Sequence, residues 1–135
     1  MDTKNRGTVR GMLCDIATGT VIEVGDLVGM TDGLIVKADE TTTKIARALQ
    51  ASASGDTKIE VTRGKAEVLM TGDAVFAAAY RGDEVDIVMS GDDQQVDVAT
   101  SSTLVLQISP EEGAGVVGSA SNIKCFINKP LDERA

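Results

Sequence analysis

The chain has 135 residues, enough for one ordinary domain, with a formal net charge of −8 and no histidine. Its Lys and Arg residues are scattered singly in an acidic chain, which excludes a nucleic-acid partner, and the missing histidine removes the commonest general base and metal ligand. Ala and Val supply thirty of the apolar residues while Phe76, Tyr80 and Phe126 are the sole aromatics, so the core is thin and favours further burial in an oligomer.

The first ten residues, "MDTKNRGTVR", are polar and carry Lys4, Arg6 and Arg10, with Val9 the only apolar residue after Met1. They contain no apolar run, so they read as neither a signal peptide nor an anchor. No stretch approaches the ~18 apolar residues of a spanning helix, and cytoplasmic synthesis with no membrane partner is expected. Residues 1–10 are read as an arm that orders on a neighbouring surface, a frayed terminus being the alternative.

From there the chain is punctuated into short segments. Thr20–Val24, Leu27–Met30 and Leu34–Lys37 are short, apolar strand candidates. In "TTTKIARALQASAS" Ile45 and Leu49 stand four apart, as on a helix, but period two fits as well, and a strand is preferred. Strict alternation then marks Ile59-Val61, Ala66-Val68-Met70, Val85-Ile87-Met89, Val96-Val98, Leu104-Leu106-Ile108 and Ile123-Cys125-Ile127 as half-buried antiparallel strands. Between them, "AVFAAAYRG" stays open between a strand and one or two helical turns. Val, Ile and Thr supply 37 residues, which suits pleated surfaces.

Five Gly-Asp pairs, at 25–26, 55–56, 72–73, 82–83 and 91–92, fall at the edges of these segments. Glycine supplies positive φ and aspartate accepts local backbone hydrogen bonds, so the pairs read as turns. A phosphate-cradling loop would need glycines opening a helix with a lysine in register. There is also an internal echo. "IVKADETTTKIARALQ" and "VDVATSSTLVLQIS" each run from a strand through a Thr/Ser-rich turn to a second strand, then to a small-residue loop and a third.

Candidate chemistry is sparse. Carboxylates in "RGDEVD" and "SGDDQQVD" have the density of an acidic loop, and no other feature supports a hydrolase. Asp83, Glu84 and Asp86, or Asp92, Asp93 and Asp97, offer hard oxygens without the spacing of a calcium loop, so a solvated turn is preferred. Arg81-Gly82-Asp83 spells an integrin-recognised tripeptide at a place where a turn is already required. Cys14 and Cys125 lack metal-ligand spacing and read as reduced, partly buried thiols, a disulfide between them being the alternative. No catalytic, cofactor or metal residue is assigned, and the chain is not expected to be an enzyme.

Residues 20–76 resemble the capsid decoration, or cement, proteins of tailed bacteriophages. The similarity runs through Gly25-Asp26-Leu27-Val28, Leu34 to Ala38, Ile45 to Ala51, Gly55-Asp56, Ile59-Glu60-Val61 and Gly64. Arg47 departs from it, standing where that family often has a small residue. The resemblance implies a non-enzymatic head-stabilising protein on the outer surface of the virion, bound to the major capsid protein, commonly as a homotrimer. The arm residues Lys4, Arg6, Val9 and Arg10 would then contact the shell. A β-module of a phage tail, or a carbohydrate-binding surface domain, is the alternative.

The expected fold is all-β: a small barrel or sandwich of eight to eleven short antiparallel strands with Gly-Asp turns. At most one short helix is expected, in Thr43–Ala53 or Ala74–Tyr80, with residues 11–135 forming a single decoration domain behind the arm.

Overall fold

The computed structural model describes residues 11–99 and 101–132, and these form ten strands and two single 3-10 turns, with no α-helix. The all-β expectation holds. The first half supplies β1 (Gly11–Asp15), β2 (Leu27–Thr31), β3 (Leu34–Lys37), β4 (Ala46–Arg47) and β5 (Lys58–Thr62). The second supplies β6 (Glu67–Met70), β7 (Glu84–Ser90), β8 (Asp93–Asp97), β9 (Leu106–Ile108) and β10 (Ile123–Ile127).

In the first half β1 pairs with β5, and β2 lies between β3 and β4, all antiparallel. Two single bridges connect these ladders: Ala48 with Val61, antiparallel, and Ile16 with Ile35, parallel. The order β1-β5-β4-β2-β3 therefore returns to β1 as a small ring. Ile16, Ile22, Val28, Ile35, Ile59 and Val61 fill its interior together with Ala46 and Ala48. The second half forms one sheet in the order β6-β10-β9-β7-β8. A parallel bridge from Gly72 to Val96 brings β6 back to β8.

The two rings share one topology, strand for strand. In each, the first strand pairs with the fifth, the second lies between the third and fourth, and a parallel bridge just past the first strand reaches the third. The internal echo in the sequence corresponds to this repeat: β3, β4 and β5 in one copy, β8, β9 and β10 in the other. Each Thr/Ser-rich connection is folded on a buried or half-buried carboxylate. Asp39 Oδ1 accepts from the Thr41 N–H and hydroxyl at 2.9 and 2.7 Å. Asp86, buried in β7, accepts from the Ser102, Thr103 and Leu104 N–H groups at 2.9 Å each. These bonds hold Leu104 at φ 59°, a conformation that costs a non-glycine residue about 1–2 kcal/mol.

Several segments differ from expectation. Thr20–Val24 is no strand: only Ile22 pairs, with Ser52, because positive-φ glycines at 19 and 25 turn the chain on either side. Thr43–Ala53 contains the two-residue β4 and no helix. Ile45 is buried with the core of the second ring, while Ala46 and Ala48 are buried in the first. A strand squeezed between two cores needs small side chains on one face, so the alanines serve packing rather than helix propensity. In "AVFAAAYRG", Ala78–Tyr80 is a single 3-10 turn. Leu104 lies in the turn held by Asp86, and β9 starts only at Leu106.

The Gly-Asp pairs are turns, but not all alike. Gly25, Gly82 and Gly91 have φ of 93°, 83° and 62°. Asp26 and Asp56 each accept a 2.9 Å bond from the N–H three residues back, closing equivalent turns. Gly72 serves close approach instead. A Cβ there would lie 2.7 Å from the Ala74 carbonyl oxygen and 2.8 Å from Ile123 Cδ1, at the bridge that closes the second ring.

Several contacts join the rings. Leu27, Ala38 and Ile45 leave the first ring to pack in the core of the second. Past β10, the Leu131 N–H donates to the Ile45 carbonyl at 2.9 Å, and Ile45 N–H to that of Lys129 at 2.9 Å. Gln94 of β8 acts as a surrogate backbone. Its Oε1 accepts from the Leu27 N–H at 2.8 Å, and its Nε2 donates to the Leu27 and Ala38 carbonyls at 2.7 and 2.8 Å. Gln94→Ala strands the Leu27 N–H and the Ala38 carbonyl at this junction, while the Leu27 carbonyl keeps its bond from the Ala38 N–H at 3.0 Å. Chemical denaturation should show a loss of about 1–3 kcal/mol.

Candidate interaction surfaces

The two cysteines and three of the carboxylates singled out in the sequence sit in defined structural surroundings. Both cysteines are free. Cys125 is buried in β10, and burial pushes its thiol up to about 12. Cys14, half-buried in β1, is also raised, chiefly by burial, with Arg63 opposing the shift. A nucleophilic cysteine needs the opposite shift, toward the thiolate.

Of the carboxylates weighed for calcium, three are held in local bonds. Asp86 is committed to the 102–104 turn. Glu84 Oε2 accepts from Asn128 Nδ2 at 2.8 Å, and Asp97 Oδ1 from the Ala99 N–H at 3.2 Å. Among the described residues no group of three or more Cys, Asp or Glu side chains is placed to hold a metal ion. Arg81-Gly82-Asp83 is a turn tied at both ends. The Arg81 guanidinium stands 5.8 Å from the Phe76 ring centroid and donates to the Glu112 carbonyl at 3.1 Å. The Asp83 carbonyl accepts the Ile108 N–H at 2.9 Å. The arm residues Lys4, Arg6, Val9 and Arg10 lie outside the described residues.

What the fold does present is apolar side chains on rigid backbone. Leu13 in β1 is 69% exposed and Leu69 in β6 is 62% exposed. They occupy equivalent places, each three residues before the bridge that closes its ring. A second apolar tip stands at one end of the second ring, where Val75, Val116 and Val117 are 54%, 69% and 64% exposed. Its backbone is fixed: Phe76 N–H donates to Ser119, and Gly118 N–H to Phe76, at 2.9 and 3.0 Å. Phe76 itself is buried against Gly115, where a Cβ would come within 2.9 Å of its ring. Sequence alternation placed Leu69 on the face opposite Ala66, Val68 and Met70, as observed, but assigned no face to Leu13.

A cleft of about 360 Å³ runs between the rings, bounded by the Glu23–Leu27 segment, by β6 and by the start of β8. Its walls carry Glu23, Asp26, Asp92 and Asp93. Lys37 is the one cation among its lining residues, and it donates to the Asp92 carbonyl at 2.7 Å. No described helix is long and apolar enough to cross a membrane.

Two measurements check these assignments. Because Cys125 keeps its proton above pH 9.0, where an unperturbed thiol ionises, the unfolded chain binds fewer protons than the native one there. Its contribution to stability is therefore complete below that pH and falls as pH rises toward 12, by up to about 1.4 kcal/mol per pH unit. In Cys125→Ala the alkaline limb of a stability–pH profile should be shallower. Asp86→Ala should lower stability by about 3 kcal/mol by orphaning three backbone donors, and Asp86→Asn, which can still accept, by about 1 kcal/mol.

Comparison with models of known families, with curated proteins and with solved structures finds no match to this chain.

Proposed function

We propose that the chain is a non-enzymatic decoration protein of a tailed-phage capsid. On this reading it binds the major capsid protein on the outer surface of the virion and stabilises the head against internal DNA pressure. The observation that carries the reading is the set of exposed apolar side chains on rigid backbone: Leu13 and Leu69 at equivalent positions of the two rings, and the Val75, Val116 and Val117 tip. Exposed apolar side chains held by a fixed scaffold suit docking to a protein surface. The net charge of −8 suits the outside of a shell rather than its DNA-filled interior. The resemblance of residues 20–76 to cement proteins points the same way.

A homotrimer accords with the same features. Each subunit would cover part of its apolar surface against a neighbour in a closed ring, and a threefold matches the local symmetry of shell lattices. Against a carbohydrate-binding module stands the burial of Phe76, which leaves only Tyr80 and Phe126 to face a sugar.

Sedimentation of the purified protein with mature and with unexpanded shells tests the function. Co-sedimentation with either is expected, and binding to isolated glycans with none to shells would overturn it. Charged replacements at the valine tip, Val116→Asp with Val117→Asp, should leave the thermal midpoint within a few degrees while weakening association at least about tenfold. Light scattering, free and on the shell, should give three times the protomer mass.

A further inference from the structure

We propose that Asp32-Gly33, at the tip of the β2–β3 hairpin, is a site of spontaneous backbone modification, where aspartate converts to isoaspartate. This goes beyond the decoration reading and does not depend on it.

The chemistry needs an amide nitrogen that no side chain crowds. The Gly33 nitrogen attacks Cγ of the protonated Asp32 carboxyl and forms a C–N bond. The amide proton leaves with the carboxyl hydroxyl as water, and a five-membered succinimide results. Water then opens that ring at either carbonyl. Attack at Cγ restores aspartate, whereas attack at the main-chain carbonyl leaves the backbone running through Cβ and Cγ, as isoaspartate. The water lost in the first step is regained in the second, and nothing is oxidised or reduced. Asp32 is the one aspartate in the chain that a glycine follows. The five Gly-Asp pairs run the other way and place Leu27, Thr57, Ala74, Glu84 or Asp93 after the carboxylate, each with a Cβ beside the attacking nitrogen.

The fold governs when this bond can react. Thr31 pairs with Leu34, leaving Asp32 and Gly33 as a two-residue loop with φ of 53° and 81°, the signature of a type I′ turn. Ring closure requires Asp32 Cβ and the Gly33 nitrogen to be nearly eclipsed about the Cα–C bond. The left-handed region sets them nearly opposite, so the closed turn is unreactive. Reaction waits for the tip to fray. Met30 through Leu34 are all exposed, and Ile35 is the first buried residue beyond the turn, so the tip opens without uncovering core. Fraying reverses freely, but isoaspartate adds a carbon to the backbone of a loop that two residues must close. Thr31 and Leu34 then lose their register. The damage reaches both cores, because the hairpin supplies Val28 and Ile35 to one and Leu27 to the other.

Incubation of the full chain in neutral buffer at physiological temperature, followed by peptide mapping that separates isoaspartate, is the test. Isoaspartate is expected at position 32 ahead of every other aspartate. Unfolding in guanidinium chloride should speed its formation at least about tenfold by removing the turn. Asp32→Asn, which also suits this turn, should react at the same bond with ammonia as the leaving group, read as the mass change of deamidation. In the isolated isoaspartate form the amides of Gly29 and Val36, paired across the hairpin, should exchange faster, with Ile123 and Cys125 of β10 unchanged. The proposal is overturned if position 32 stays unmodified in folded and unfolded chain alike, or if another aspartate of the folded chain isomerises faster. Equal rates in the two states overturn the gating by the turn, and unchanged exchange at Gly29 and Val36 overturns the effect on the hairpin.

Discussion

The Gln94 carboxamide is the contact on which the arrangement of the two rings depends. A glutamine side chain offers one acceptor and two donors in a planar group, like a peptide unit, and Gln94 spends them on the Leu27 N–H and on the Leu27 and Ala38 carbonyls. Those backbone groups belong to the first ring, at the place where Leu27 and Ala38 enter the core of the second. Backbone pairing between the rings is confined to the single parallel bridge of Ile45 with Pro130 among the described residues. A side chain that imitates a strand lets both rings close and still satisfies the backbone between them.

Closure explains the composition. A ring of five strands of two to seven residues encloses little volume, so its lining must be short and branched, with alanine where two layers approach. Ile16, Ile22, Val28, Ile35, Ile59 and Val61 with Ala46 and Ala48 make such a lining. A core of aromatics would not fit, and the one buried aromatic, Phe76, sits over Gly115 where no side chain competes for the space. Because each ring is small, the same curl that buries alternate residues leaves Leu13 and Leu69 facing outward. Surface apolar residues and core residues thus arise from one geometric constraint.

The loops carry the chemistry that secures closure. Asp39 and Asp86 fold equivalent connections, and the hydrogen bonds from Thr41 hold the Asp39 carboxyl below its ordinary range. Both carboxylates accept backbone N–H groups of the loops they fold. Glu23, Asp26, Asp92 and Asp93 line the cleft between the rings, and Lys37 stands 3.7 Å from the Asp26 carboxylate.

Alternation in Ile59-Val61, Val68-Met70, Val85-Ile87 and Ile123-Cys125-Ile127 determined the all-β class, since period two commits a segment to a pleated sheet whatever its neighbours are. The Gly-Asp turns other than Gly72-Asp73 were equally local, set by backbone conformation and nearby hydrogen bonds, and the echo of "IVKADETTTKIARALQ" in "VDVATSSTLVLQIS" marked the repeat. Other features belonged to the tertiary structure alone. That Ile45 faces one core while Ala46 and Ala48 face another follows from the rings lying against each other. That Gln94 bonds Leu27 across 67 residues follows from the same packing. The outward direction of Leu13 depends on where its ring closes, whereas that of Leu69 was already set by the alternation of Ala66, Val68 and Met70. Periodicity records which residues share a face, but only the closed path of the strands decides whether that face meets a core, a neighbouring ring or solvent.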